Sequence, residues 1–338
     1  MFGRFAIPIA CGALLTFAGC GKRVSELALS GPTMGTTYTV KVADVPPGLD
    51  AARIRVAIDE VLAQIDRGMS GYRDDSEIAR FNASKSTDWF DVSSDVAAVV
   101  AAALEVSALS DGAFDITAAP LIPVWGFGPD AGPRVAPDPA ELARISEYVG
   151  FRKLHVRTAP PALRKEIAGL TVDLNGIAPG FAVDRLAERF AAMRIERFMI
   201  DIGGEVRVLG RNFKGEPWRV AIERPVDVER APYAIVQLHD AAVTTSGEYR
   251  NYYVRDAHRY SHTIDPRSAR PIEHDLGSVA IIGPTAAEVD AWATALNVLG
   301  AERGYDLAQR RGIAAMFIEK DGTGWRSRAT PQFTPYLV

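Results

Sequence analysis

Many short runs of this chain have the alternating pattern of β-strands, and stretches with helical periodicity lie between them. Apolar residues at helical spacing predict α-helices over residues 50–67, 92–110, 180–193 and 286–300. Several strand runs are separated by glycine-containing turns typical of hairpins, as at Gly203-Gly204. Hairpin-linked strands combined with separate helices predict an α+β fold.

Some local predictions are specific enough to be tested one by one. They are a tight loop at Gly31–Gly35 before a strand at Thr36–Val42, a strand over 170–174, a helix with Pro179 in its first turn, and a capping box at Thr285 and Glu288.

The segment from Tyr249 to Pro271 places chemistry-bearing side chains at the end of a strand. It is predicted as a strand, a turn near Asp256-Ala257, a second strand at Tyr260–Ile264 and a polar exit at Asp265-Pro266. Proline ends the strand because it has no N–H for the ladder and a fixed φ. His262 and Asp265 are therefore candidate catalytic residues near a strand end.

The N-terminus has the pattern of an export signal. Arg4 precedes an apolar run from Ala6 to Ala18, and Ala18-Gly19 is followed by Cys20. A charged start, an apolar run and small residues are typical of a secretory signal peptide. Small residues before a cysteine resemble the bacterial lipobox, although Phe17 stands where leucine is commoner. Lipidation of Cys20 is therefore predicted, with an ordinary soluble secretory signal as the alternative.

The rest of the chain is predicted to be one anchored domain. Residues 1–19 form the predicted signal peptide, residues 20–30 a lipid-anchored linker and residues 31–338 the folded domain. The expected location is the periplasmic face of a bacterial membrane.

Composition excludes several classes of function. The formal net charge of −4 provides no basic footprint, so nucleic acid is not an expected partner. Cys11 and Cys20, the only cysteines, both lie in the signal region, so the folded domain is not expected to use disulfides, thiolate metal sites or a cysteine nucleophile. After the signal region, no apolar run reaches transmembrane length.

A carboxylate and a hydroxyl share one face of the predicted helix over 286–300. Asp290 and Thr294 are four residues apart, which brings their side chains together. Both offer oxygen ligands, which a hard cation such as Mg²⁺ prefers. A side-chain hydrogen bond within the helix explains the pair equally well, and the sequence leaves both explanations open.

Eight segments, in order along the chain, resemble the FAD:protein FMN transferase (ApbE) family of exported flavin-transferring lipoproteins. They are GPTMGTTY (31–38), SGYRDDSEIARFN (70–82), GAFDITAAPLIPVWGFG (112–128), DLNGIAPGFAVDRL (173–186), DIGGEVRVLG (201–210), TTSGEYRNYY (244–253), YSHTIDPRSARP (260–271) and AAEVDAWATALNVLG (286–300). The resemblance extends over about Leu27 to Ile318. It implies one compact unit of two interleaved α/β lobes with mostly antiparallel sheets, and FAD between the lobes.

The resemblance also implies an activity. Members of the family move the FMN half of FAD onto a threonine hydroxyl of an acceptor protein and release AMP, with Mg²⁺ required. The implied partners are FAD and exported or membrane redox proteins with a Ser/Thr-containing flavinylation motif. Two alternatives are a Mg²⁺-dependent FAD pyrophosphatase, in which water replaces the threonine, and a non-catalytic flavin-binding lipoprotein.

Individual residues take implied roles by their position in the matching segments. Asp290, Thr294 and the backbone carbonyl of Ala178 are expected to hold the metal. The expected FAD-binding residues are Met34, Gly35, Tyr72, Ala113, Phe114, Asp115, Asn175, Phe181, Thr263 and Ile264, with Tyr72 stacking on the nucleotide. His262 matches the base that deprotonates the acceptor threonine, and Asp265 is grouped with it as catalytic. Pro179 replaces a lysine frequent in the family, so phosphate contacts are expected from elsewhere, such as backbone N–H groups.

Overall fold

The computed structural model describes residues 26–128, 136–226, 231–247, 252–256 and 258–338. The predicted signal peptide and Cys20 lie outside these residues, as do Tyr249 and Ala257 in the segment that carries His262. Within the described ranges, no helix is long and apolar enough to cross a membrane.

Several helices begin at a residue whose side chain caps them. Over the described ranges they are α1 (Ala51–Met69), α2 (Glu77–Ala83), α3 (Ser94–Leu109), α4 (Leu121–Val124), α5 (Pro139–Ser146), α6 (Ala178–Ala192) and α7 (Ala286–Arg311). The Asp50 carboxylate accepts the N–H of Arg53 at 2.8 Å at the start of α1. The four predicted helices are confirmed as α1, α3, α6 and the first part of α7.

The strands of the described ranges form one large antiparallel sheet of eight strands and four smaller sheets. The strands are β1 (Leu27–Thr33), β2 (Thr36–Val42), β3 (Phe90–Asp91), β4 (Leu154–Thr158), β5 (Pro161–Lys165), β6 (Phe198–Ile202), β7 (Glu205–Leu209), β8 (Trp218–Glu223), β9 (Pro232–Leu238), β10 (Ala241–Gly247), β11 (Tyr252–Arg255), β12 (His258–Ser261), β13 (Ile264–Asp265), β14 (Arg270–Pro271), β15 (Leu276–Gly283), β16 (Ala314–Asp321) and β17 (Gly324–Ala329). The large sheet has the order β1-β2-β6-β7-β10-β15-β16-β17, and its described neighbours all pair antiparallel. Smaller sheets are β3-β5-β4, β8-β9, β11-β12 and β13-β14.

Both faces of the large sheet are covered. Helices α6 and α7 pack on one face and build the main core, to which Ile200 and Ile281 contribute. On the other face a second core includes Trp218 of β8, Val236 of β9 and Ile282 of β15. Ile281 and Ile282 enter different cores because successive side chains of a strand point to opposite faces.

A third, aromatic-rich cluster joins α4 to the hairpin of β11 and β12. It contains Leu121, Trp125, Phe127, Tyr253 and Ile264. The predicted α+β fold with mostly antiparallel sheets is confirmed, as one compact unit.

The first strand begins earlier than the sequence predicts. Residues 27–30, predicted as the end of the linker, lie in β1 and pair with β2. The predicted loop at Gly31–Gly35 is also wrong for its first three residues, because only Met34 and Gly35 form the turn, with φ of 48° and 72°. Gly31 faces Tyr38 across the ladder, where a Cβ would lie 2.8 Å from the ring. The absence of a side chain at Gly31 therefore leaves room for the Tyr38 ring.

Two predicted strands differ for local reasons. Residues 170–174 form no ladder, because the Asn82 side chain binds the N–H and the carbonyl of Val172 at 2.8 and 2.9 Å. The predicted strand at Tyr260–Ile264 is divided, since β12 ends at Ser261 and its hydroxyl accepts the N–H of Thr263 at 3.1 Å. His262 therefore lies in a turn between β12 and β13.

The predicted capping box at the start of α7 is wrong. Thr285 occupies the N-cap position, but its side chain makes no capping hydrogen bond. Asp184 of α6 accepts the N–H groups of Ala286 and Ala287 instead, each at 2.9 Å. The helix is capped by a neighbouring helix, which local sequence spacing does not reveal.

Candidate active site

A cavity of about 330 Å³ lies where α7, the end of β10 and the loops after α3, before α6 and after β12 meet. Nine predicted site residues line it: Ala113, Phe114, Asp115, Asn175, His262, Thr263, Ile264, Asp290 and Thr294. They come from four separate segments of the sequence. The fold therefore brings most of the expected site together.

Asp290 and Thr294 lie on the first turns of α7, facing the start of α6. Asp290 is only 7% exposed, and its Oδ2 accepts the N–H of Gly180 at 3.2 Å. Ala178, whose carbonyl is an expected metal ligand, is the first residue of α6. The described contacts include no hydrogen bond between the Asp290 and Thr294 side chains, which favours a ligand-facing pair over the helix-internal hydrogen bond.

Gly176 lies where the loop before α6 passes Phe114 and Thr294. A Cβ at this position would lie 3.1 Å from the Phe114 ring and 3.5 Å from Thr294 Oγ1. The backbone therefore passes close to the Phe114 ring, which would have to shift slightly to admit a larger residue, and is in ordinary contact distance of Thr294. Phe114 and Thr294 are held on either side of the same loop.

Glu205, which the sequence reasoning did not select, adds a second carboxylate to the cavity. Burial raises the pKa of Glu205 to about 7, and the charge of Asp201 acts in the same direction. The Thr244 hydroxyl donates to Glu205 Oε1 at 3.4 Å. Burial also raises the pKa of Asp290 well above its usual range, and the neighbouring charge of Glu205 raises it further. Two carboxylates are thus held near each other at the cavity, with Asp290 buried and Glu205 half-buried.

The donors around Asp290 fit a hard divalent cation. No lysine or arginine is among the described residues that line the cavity, so no side-chain cation there balances Asp290 and Glu205. In the described part of the chain, no group of three or more His, Asp or Glu residues is arranged to hold a metal. A cation would therefore depend on the Asp290 carboxylate, the Thr294 hydroxyl and backbone carbonyl oxygen, all of them oxygen donors suited to Mg²⁺.

His262 is held by aromatic packing beside the cavity that it lines. Its ring meets Phe127 edge-on, with 6.4 Å between centroids. Phe127 in turn packs on Tyr253 at 5.2 Å, and Tyr253 stacks on Tyr260 at 4.9 Å. This aromatic cluster fixes the turn between β12 and β13, because edge-to-face and stacked pairs have preferred geometries.

Asp265 is engaged by Arg267 and is not among the residues that line the cavity. Its carboxylate accepts two bonds from the guanidinium, at 2.8 and 2.7 Å, and one from the Arg267 N–H at 3.0 Å. A bidentate pair of this kind fixes a turn. A catalytic role for Asp265 stays a prediction, and the observed contacts give it a structural one.

Asp115 lines the cavity, but its oxygens are already bonded within the protein. Oδ1 accepts the N–H and the hydroxyl of Thr117 at 2.8 and 2.6 Å, and Oδ2 accepts the N–H of Phe151 at 2.8 Å. Burial raises the pKa of Asp115, while these hydrogen bonds lower it. Asp115 therefore ties the loop after α3 to residue 151 and shapes the cavity wall.

Other predicted residues lie outside the cavity lining. Met34 and Gly35 form the β1–β2 turn, beside the turn at Gly203: a Cβ on Gly203 would lie 3.1 Å from Thr36 and 3.3 Å from Glu205 Oε2. This places the two turns next to Glu205, at the edge of the site.

Tyr72 and Phe181 differ from each other in exposure. Tyr72 is 73% exposed in the turn between α1 and α2, so its ring is available to a ligand or to solvent. Phe181 lies in the first turn of α6 and packs against the main core. Neither residue is shown in contact with the cavity, so their FAD-binding roles stay predictions.

Several lining residues were missed by sequence reasoning. They are Ile116, Ala118, Ala119, Ile122, Asp173, Gly176, Glu205, Thr244, Thr245, Ser246, Pro266, Ala293 and Val298. One signal was available, because Thr244-Thr245-Ser246 is a run of hydroxyl residues at the end of an otherwise apolar strand. The apolar members offer no comparable signal.

Comparison with known proteins gives matches over most of the chain. The family model described as ApbE family matches residues 34–317, which include all four segments above. The chain is 40% identical to an FAD:protein FMN transferase of Vibrio cholerae, over 97% of this chain and 98% of that protein. It is 41% identical to one of Salmonella typhimurium, over 92% and 89% respectively.

Solved structures agree with these matches. The flavin transferase ApbE from Vibrio cholerae superposes with a TM-score of 0.85 at 40% identity, covering 93% of this chain and 99% of that one. The apo form of the Pseudomonas stutzeri flavinyl transferase ApbE gives a TM-score of 0.85 at 39% identity, covering 92% and 96%. The similarity therefore extends to the whole arrangement of elements around the cavity.

Proposed function

This chain belongs to the ApbE family, and from that premise we propose that it transfers the FMN moiety of FAD to a threonine hydroxyl of an acceptor protein, with release of AMP. The observation that carries the proposal is the convergence of Asp290, Thr294 and His262 on one cavity. Displacement at a pyrophosphate needs charge neutralisation and hydroxyl activation in the same place.

Mg²⁺ is the proposed cofactor, and Asp290, Thr294 and the Ala178 carbonyl would hold it. When bound, such a cation neutralises negative charge on the pyrophosphate oxygens. The Gly180 N–H, which donates to Asp290 Oδ2, orients this carboxylate at the start of α6.

His262 is the proposed general base. It accepts the proton of the threonine hydroxyl while the threonine oxygen forms a bond to the FMN phosphorus. The bond from that phosphorus to the bridging oxygen breaks, and AMP leaves with the electron pair. Histidine suits this step because its ordinary pKa is near neutral pH, and the packing of Phe127 orients the ring.

FAD would use both the apolar and the polar walls of the cavity. Phe114 and Ile122 provide apolar surface for a ring system, and the exposed Tyr72 provides a stacking face. Pro179 supplies no positive charge, and the nearby Gly180 N–H already donates to Asp290. The phosphates therefore depend on the cation and on hydroxyl donors at the end of β10, such as Thr245 and Ser246 in the cavity wall.

FAD hydrolysis is the competing reaction. Tyr72 is 73% exposed and is not among the described lining residues, so its ring does not cover the cavity in this arrangement. Water in the place of the threonine would yield free FMN and AMP. Transfer is favoured because the relatives carry the name of a transferase.

An exported, lipid-anchored location at the periplasmic face of a membrane is proposed from the N-terminal sequence alone. The apolar run from Ala6 to Ala18, followed by Cys20, supports it. Mass spectrometry of the N-terminal peptide should find acylated Cys20, and a Cys20→Ser variant should be released from membranes. An unmodified N-terminus in the membrane fraction would contradict this proposal.

The decisive experiment combines the chain lacking residues 1–20 with FAD, Mg²⁺ and a threonine-bearing acceptor peptide. Mass spectrometry should find FMN on the peptide together with AMP, and both should be lost in Asp290→Ala and His262→Ala. A His239→Ala variant, altered at an exposed histidine, is the matched control and should keep activity. AMP with only free FMN would indicate hydrolysis, and intact bound FAD would indicate a binding protein.

A further inference from the structure

The first turn of α7 is held by a carboxylate from another helix. Asp184 Oδ1 accepts the N–H of Ala286, and Oδ2 accepts the N–H of Ala287, each at 2.9 Å. Asp184 is 7% exposed, so these bonds form away from solvent. A negative charge at a helix N-terminus is favourable because the free N–H groups there are partly positive.

A second contact between the same helices involves the expected metal ligand. The Gly180 N–H, one turn before Asp184 on α6, donates to Asp290, one turn after Ala286 on α7. A Cβ on Gly180 would lie 2.4 Å from the Ala286 carbonyl oxygen, so the two backbones touch. The position of Asp290 relative to the start of α6 is therefore set by two contacts one helical turn apart.

Arg207 connects this pair of helices to the large sheet. Its Nη1 donates to Asp184 Oδ1, and it lies on β7 two residues after Glu205. A buried carboxylate is tolerated only where charge and hydrogen bonds compensate it, and here both are present. The Asp184 carboxylate thus joins α6, α7 and β7 at one point.

We propose that Asp184 is a positioning residue for the cation site, which sets cation affinity by holding the helix start that carries Asp290 and Thr294 against the start of α6, where Ala178 lies. The inference rests on the proposed function, because it takes these residues as the ligands. Without the Asp184 bonds, two N–H groups of α7 lose their partners, and the helix start that carries Asp290 is no longer fixed against α6. Residues that orient metal ligands typically change affinity about 10- to 100-fold when they are replaced.

The test is direct cation binding by the protein saturated with FAD. Mn²⁺, which reports its bound state by electron paramagnetic resonance, should bind Asp184→Asn about 10- to 100-fold more weakly than wild type. Thr285→Ala changes the same turn at a side chain that makes no capping bond, so it should bind Mn²⁺ as wild type does. FMN transfer by Asp184→Asn should recover at high Mg²⁺, which a purely structural defect would not allow.

Unchanged Mn²⁺ affinity in folded Asp184→Asn would overturn the inference, even if its unfolding temperature fell. If that variant does not fold, Arg207→Gln decides, because it keeps both bonds to α7 and removes only the ion pair. It should weaken Mn²⁺ binding by a smaller factor, and wild-type affinity would overturn the inference. Absence of Mn²⁺ binding by wild type would instead reject the cation site of the proposed function.

Discussion

Glu205 begins a short strand after a Gly-Gly turn, and its chemistry depends on what the fold places around it. Its pKa is raised to about 7 by burial, and the charges of Asp201 and Asp290 lie nearby. A carboxyl group that is more basic in the folded state stabilises the fold below its unfolded pKa of about 4.3. That stability is lost as the pH rises through 7, because the folded protein must then carry a buried charge.

Glu205→Gln should therefore make the unfolding free energy of the metal-free protein less dependent on pH. Between about pH 4.5 and 7 the wild type should lose on the order of 2 kcal/mol of unfolding free energy that the variant retains. Urea unfolding at several pH values, in the presence of a chelator, measures this difference. Equal slopes for the two proteins would show that Glu205 does not titrate in this range.

Tyr72, unlike Glu205, is a large side chain that contributes little to the stability of the fold. Because it is 73% exposed, Tyr72→Asn should change the unfolding free energy by no more than about 0.5 kcal/mol. If its ring covers bound FAD, the variant should release more free FMN relative to peptide-bound FMN. Chromatography of the products measures this ratio, and an unchanged ratio would remove Tyr72 from the site.

At the scale of elements, α7 is interrupted at Gly300, and His274 from outside the helix binds a backbone carbonyl beside the interruption. Gly300 has φ 76°, and the His274 Nε2–H donates to the Asn297 carbonyl at 2.8 Å. A Cβ on Gly300 would lie 2.7 Å from the His274 ring, so glycine is needed for this approach. Burial lowers the pKa of His274, while the bond to Asn297 partly offsets that effect.

His274 should make the protein less stable in mild acid. A histidine with a lowered folded pKa contributes stability above its unfolded value of about 6.5, and this stability is lost as the pH falls through the folded pKa. His274→Gln keeps a donor for the Asn297 carbonyl but does not titrate, so its stability should change less between pH 6.5 and 5. Thermal unfolding over this range measures the effect.

A control separates His274 from the remaining histidines. His239→Gln, at a side chain about half exposed beside Asp240, should keep the acid sensitivity of wild type. If His239→Gln lost the acid sensitivity and His274→Gln kept it, the prediction would be wrong, because the effect would then come from His239.

At the scale of the whole molecule, the cavity depends on segments far apart in the sequence. Ligands that bind there bind only the folded chain, and they stabilise it by about 2.7 kcal/mol at 100 times their Kd. FAD with Mg²⁺ should therefore raise the unfolding temperature more than either alone, and a chelator should reverse the added effect. In Asp290→Asn, adding Mg²⁺ to the FAD-bound protein should not raise the unfolding temperature further. An equal increment in that variant would place the cation elsewhere.

Much of the fold was predictable because it follows from local pattern. The helices α1, α3 and α6, the hairpin of β6 and β7, and the strand β2 all have clear periodicity or turn residues. The loop predicted at Gly31–Gly35 failed because its glycine serves cross-strand packing against Tyr38. The strand predicted over 170–174 failed because Asn82, about ninety residues away, takes its backbone hydrogen bonds.

The sequence by itself determined the α+β class and the family resemblance, and it predicted Asp290, Thr294 and His262, which line the candidate site. Only the tertiary structure decided that Glu205 lines the same cavity, that the Asp265 carboxylate is paired with Arg267, and that Asp184 caps α7. The reason is physical. Periodicity and turn chemistry act between near neighbours along the chain, whereas burial, charge pairing and capping depend on which distant residues the fold brings together.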